Sequence, residues 1–87
     1  MNAKIDPLEQ YVIDFVRRLR VENKLKQRDI AAIIDTSPSF VGNIENNNYP
    51  AKYNLKHINI LADYFNISPT SFLPDKPIKY EHTVADI

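Results

Sequence analysis

The amino-acid sequence predicts an all-α protein, a compact bundle of five short helices with an extended or disordered C-terminal tail. Three observations carry this. Apolar residues recur at steps of three and four along successive short segments, the period of a helix with one buried face. The segments open on Asp6-Pro7, Ser37-Pro38, Asn54 and Ser68-Pro69, residues that cap a helix or are tolerated in its first turn. The third is length: 87 residues hold one modest core and no second domain.

In the first helix, Asp6 is the expected cap and Pro7 the first helical residue. Leu8, Tyr11, Val12, Phe15, Val16 and Leu19 form the apolar stripe, and the helix runs to about Asn23. Leu25 to Gln27 connects to a second helix whose inward residues are Ile30, Ala31 and Ile34. Ile33 either packs on the first helix or stays exposed. Asp35-Thr36 closes this helix and Ser37-Pro38 opens the third, in which Val41 and Ile44 point inward. Ser39, Phe40, Gly42, Asn43 and Asn46 remain for the outward side; the alternative places Phe40 in the core and lets Gly42 end a short helix. Asn46 to Pro50 is a loop, since asparagines suit turns and Pro50 cannot continue a helix. Asn54 caps a fourth helix that buries Leu55, Ile58, Leu61, Ala62 and Phe65. A fifth, of one or two turns, returns Phe72 and Leu73 to the core. Beyond Pro74 the period changes: Ile78, Tyr80 and Val84 alternate with polar residues, as in a short strand or extended arm, and a disordered tail fits equally. The chain thus divides into an N-terminal arm (1–6), a helical domain (7–74) and a C-terminal tail (75–87).

Two short helices that meet steeply over Ile30, Ala31, Ile34, Val41 and Ile44 make a helix-turn-helix pattern, whose second helix is free to enter a DNA major groove. Gln27-Arg28-Asp29-Ile30-Ala31, Thr36-Ser37 and Phe40-Val41-Gly42-Asn43-Ile44-Glu45 together resemble the phage-repressor and Cro-like (XRE) family. The similarity continues through Leu55, Ile58, Leu61-Ala62, Phe65, Ile67 and Phe72-Leu73. It implies a lambda-repressor-like domain that binds double-stranded DNA as a transcriptional regulator, repressor-like and dimeric. It also implies that Arg20, seven residues before Gln27, pairs with Glu45 as a structural ion pair. Asp35 stands where the family usually has glycine; Asp tolerates a left-handed backbone better than most residues but less well than Gly.

Net charge is zero, yet the stretch from Phe15 to Lys56 carries eight basic residues against four acidic ones. One basic face on a neutral molecule can still bind phosphates by counterion release. With no cysteine and only His57 and His82, far apart, neither a metal site nor a cofactor is expected. No nucleophile with a placed histidine and no phosphate-cradling glycine loop point to an enzyme. The N-terminus lacks a signal peptide and no segment approaches a membrane span, so a soluble cytoplasmic protein is expected.

Base-edge candidates are Ser37, Ser39, Phe40, Gly42, Asn43 and Asn46: hydroxyls and amides bond to base edges, and a phenyl ring can meet a thymine methyl. Phosphate candidates are Arg17, Lys26, Gln27, Arg28, Asn48, Lys52 and Tyr53. Ile60 and Tyr64, off the buried stripe of the fourth helix, join Ile78 and Tyr80 as candidates for a homodimer contact. The competing reading is a protein-interaction module, such as the antitoxin that binds a toxin.

Overall fold

The structure, a computed structural model, describes residues 6–80; the arm before Asp6, together with His82 and Val84, lies outside the described residues. Four α-helices, α1 (Pro7–Glu22), α2 (Gln27–Ile33), α3 (Pro38–Glu45) and α4 (Leu55–Phe65), are followed by a single 3-10 turn, Pro69–Phe72, in place of a fifth α-helix. No strand occurs among the described residues. No helix there is long and apolar enough to cross a membrane.

Each start is capped by the chemistry of its own residues. Asp6 Oδ2 accepts from the amides of Leu8 and Glu9 at 2.9 and 3.2 Å, with Pro7 in the first position. Ser37 Oγ accepts from the Phe40 amide at 3.2 Å. Asp29 Oδ2 reaches back to the Lys26 amide at 2.7 Å.

The ends of α1, α2 and α4 share one geometry. Lys24, Asp35 and Asn66 have φ of 57°, 59° and 58°, the left-handed region that usually calls for glycine. Around each, two amides turn back onto the last carbonyls: Lys24 and Leu25 onto Val21 and Arg20, Asp35 and Thr36 onto Ala32 and Ala31, Asn66 and Ile67 onto Asp63 and Ala62. These paired bonds satisfy carbonyls that the helix leaves open and reverse the chain within a few residues. The turn at Asp35 is what sets α2 against α3.

The core gathers Val12, Ile13 and Val16 from α1, Ile30, Ala31 and Ile34 around α2, Val41 and Ile44 from α3, and Ile58, Leu61 and Ala62 from α4. Phe72 closes it from the 3-10 turn, its ring meeting Phe15 edge-on at 4.8 Å. Ile33 and Phe65 pack half-buried against its rim.

Several apolar residues depart from the expected stripes. In α1 the buried arc centres on Val16 and takes in Ile13; Tyr11, roughly 140° away around the helix, is exposed. Leu55, expected inside, is 82% exposed: a helical side chain leans towards the N-terminus, so the first residue of α4 reaches past the end of the core. Leu73 is exposed too, because the extended backbone after Phe72 turns alternate side chains to opposite sides. Instead, Leu73 joins Leu8, Pro77, Ile78 and Tyr80 around a shallow surface depression, and the Tyr80 hydroxyl hydrogen-bonds Asp6. Ile60 is half-buried on the core. Tyr64 is 57% exposed, its ring edge-on to Phe65 at 5.1 Å.

A left-handed backbone costs an ordinary L-residue about 1–2 kcal/mol, and glycine loses about 0.4–1 of that advantage through its freer unfolded chain. Lys24→Gly should therefore raise unfolding stability by about 0.5–1 kcal/mol in denaturant melts. Asn66→Gly should change it little, because Asn already tolerates the conformation.

Candidate nucleic-acid interface

Helices α2 and α3 form one unit over Ile30, Ala31, Ile34, Val41 and Ile44, and α3 is only two turns long. Such a short helix gains little from its own hydrogen bonds and depends on what holds it. What holds it is a polar cluster on Glu45, its last residue. Arg20 Nε donates to Glu45 Oε2 at 3.0 Å and Arg20 Nη2 to Glu45 Oε1 at 2.9 Å. The same guanidinium donates through Nη1 to the Leu25 carbonyl at 3.1 Å, tying in the α1–α2 connection. Gln27 Nε2 adds a third donor to Glu45 Oε1 at 3.0 Å. Arg17 Nε stands 3.8 Å from that oxygen, from a largely exposed side chain. The Arg20 and Glu45 side chains are 15% and 5% exposed, so the pair is largely desolvated.

Gly42 has its reason in the same cluster. A Cβ there would lie 3.3 Å from Gln27 Oε1, a tight contact. The missing side chain leaves room beside α3 for Gln27 on its way to Glu45. The Gln27 amide is thereby engaged inside the protein.

Ser39 is exposed on the outer side of α3, with Asn43 half-buried beside it and Asn46 exposed at the end. The Ser37 hydroxyl is occupied as the helix cap, and Asn46 Oδ1 accepts from the Asn48 amide at 3.0 Å, shaping the loop. Phe40 divides the two expectations: it is half-buried against the core, its ring edge-on to His57 at 5.8 Å.

Among the phosphate candidates, Arg17, Lys26, Arg28 and Asn48 are exposed. Lys52 is exposed but paired with Glu9 at 2.9 Å, linking the α3–α4 connection to the start of α1. Tyr53 is corrected. It is 6% exposed and its hydroxyl is sealed from solvent, so it does not face a phosphate. Burial, followed by the nearby Glu45 charge, pushes its phenol well above the ordinary range. The polar loop around Tyr53 signals exposure, but the ring fills the gap between that loop and α4.

His57 carries more structure than a surface histidine. Asn54 Oδ1 accepts from the His57 amide at 2.8 Å, and His57 Nδ1 accepts from the Asn54 amide at 3.1 Å. This is a reciprocal cap with histidine where glutamate or glutamine is usual, and the spacing Asn54-x-x-His57 is its signal in the sequence. No group of three His, Cys, Asp or Glu that could hold a metal occurs among the described residues.

A family model described as a helix-turn-helix domain matches residues 13–75, most of the chain. Comparison with curated proteins and with solved structures gives no match.

Removing one partner of a largely buried ion pair leaves the other charge stranded and costs about 3–5 kcal/mol. Arg20→Ala should lose that much in denaturant melts, and the Arg20→Ala/Glu45→Ala double variant clearly less than the sum of the two singles. Small, additive losses would show that the cluster does not hold α3.

Proposed function

Because the chain belongs to the helix-turn-helix domain family, we propose that it binds double-stranded DNA sequence-specifically, with α3 in the major groove, and represses transcription. One observation carries the reading: a two-turn helix clamped at its end carries small polar residues, Ser39 and Asn43, and Gln27, which lies against it at Gly42, is flanked by exposed Lys26 and Arg28. Hydroxyl and amide groups can read base edges, while the cations hold the phosphates. The one acid on α3, Glu45, is neutralised by Arg20 and turned inward, so it does not repel the backbone it would approach.

Two copies paired through the exposed Tyr64 would bring two α3 helices to half-sites about 34–36 Å apart. Ile60 and Ile78 are half-buried within the subunit, which leaves Tyr64 and Tyr80 as the exposed candidates for such a contact.

The test is a titration of a duplex selected from random DNA, and of its scrambled version, at several salt concentrations. Asn43→Ala should lower affinity for the selected duplex by about 1–3 kcal/mol and leave the scrambled one unchanged. Arg28→Ala should weaken both alike and reduce the salt slope by about one unit. If Asn43→Ala binds both duplexes like the parent, α3 is not the reader, and binding of a protein partner becomes the better account.

A further inference from the structure

His57 stands where three elements meet. Its amide and Nδ1 close the cap at the start of α4, and its ring lies edge-on to Phe40 of α3 at 5.8 Å and to Tyr53 of the α3–α4 connection at 6.1 Å. Because Nδ1 accepts the Asn54 amide proton, the ring's own proton sits on Nε2 and the ring is neutral. A glutamate in this position would go on accepting at any ordinary pH. An imidazole stops once it takes a second proton, since Nδ1–H then points at another donor.

The surroundings offer that proton no compensation. Phe40 faces the ring from α3 without charge, and the Tyr53 phenol faces it from the connection, held protonated by its burial. From its own helix comes Lys56, a like charge. Burial first, and Lys56 second, hold the imidazole below its ordinary value of 6.5. The neutral ring is thus the folded form, and its contribution is complete above the ordinary imidazole range. It is lost as the pH falls through the lowered value.

We propose that His57 is a positioning residue for the DNA-facing side of α3, bracing Phe40 from α4 only while its imidazole is neutral. The proposal rests on the DNA-binding reading above and adds a regulation by acid to it. Protonation breaks the cap, the ring turns away from the Asn54 amide, and Phe40 loses its neighbour.

The test compares the parent with His57→Gln, which keeps an acceptor in the capping position but does not titrate. Affinities for the selected and the scrambled duplex are measured near neutral and at mildly acidic pH. Their ratio is the readout, because the extra attraction of an imidazolium for phosphate acts on both duplexes and cancels. The parent's ratio should fall about threefold to tenfold in acid, the worth of one hydrogen bond. That of His57→Gln, which keeps the cap but has no ring against Phe40 and no group to titrate, should stay constant between the two pH values. NMR of the parent without DNA supplies the independent arm: the Phe40 ring and Asn54 amide signals should shift together with the imidazole. If those signals ignore the imidazole, or if His57→Gln loses its ratio as the parent does, the proposal is overturned. Signals that titrate together in a protein that prefers no duplex would support the joint and overturn the DNA reading.

Discussion

The carboxylate of Glu45 lies at the C-terminal end of α3, where the helix's own partial charge opposes a negative group, and its side chain is almost shut off from water. Left alone it would be a costly charge in the wrong place. Arg20 answers it with two parallel hydrogen bonds, and Gln27 fills a further lone pair. Three segments are joined by this one group: α1 through Arg20, the head of α2 through Gln27, and α3 through Glu45. A planar fork matched to a carboxylate fixes direction as well as distance. The outward face of α3 therefore keeps one orientation, although the helix is too short to hold itself.

Glycine usage shows the same economy. Three helices end in left-handed residues, and none of the three is glycine. Lys24, Asp35 and Asn66 meet that demand, each assisted by paired amide bonds to the last carbonyls. The chain's single glycine stands inside a helix, where it is a poor former. Its place is explained by contact: a Cβ there would press on Gln27 Oε1 at 3.3 Å, where the Gln27 side chain passes α3 to reach Glu45. The conformational need at the turns is met by tertiary support, and the steric need at the crossing by composition.

Local chemistry made much of this legible in the sequence. Asp6, Ser37, Asn54 and Ser68 accept the amides that capping residues are expected to accept. The break at Asp35-Thr36 was legible locally, while its left-handed turn followed from the resemblance, in which glycine usually holds that position. The partner of Arg20 came only through a family resemblance, since nothing local links residues so far apart. What stayed hidden depends on where the core stops. Periodicity puts Leu55 and Leu73 inward without saying that the core has already ended, and a polar loop gives no sign that Tyr53 folds under it. The contacts of Gly42 and His57 could not be read locally for the same reason: their neighbours, Gln27 and Phe40, belong to other helices.

The central claim is that the clamp on Glu45 exists to present α3 to DNA. Amide NMR signals followed while the selected duplex is added test it most directly. The account predicts that the largest shifts fall on Ser39 and Asn43, with Lys26, Arg28 and Asn48 around them, while Tyr64 and the segment from Pro74 to Tyr80 stay still unless two copies pair. Shifts gathered on α4 and that segment, with α3 unmoved, would contradict it.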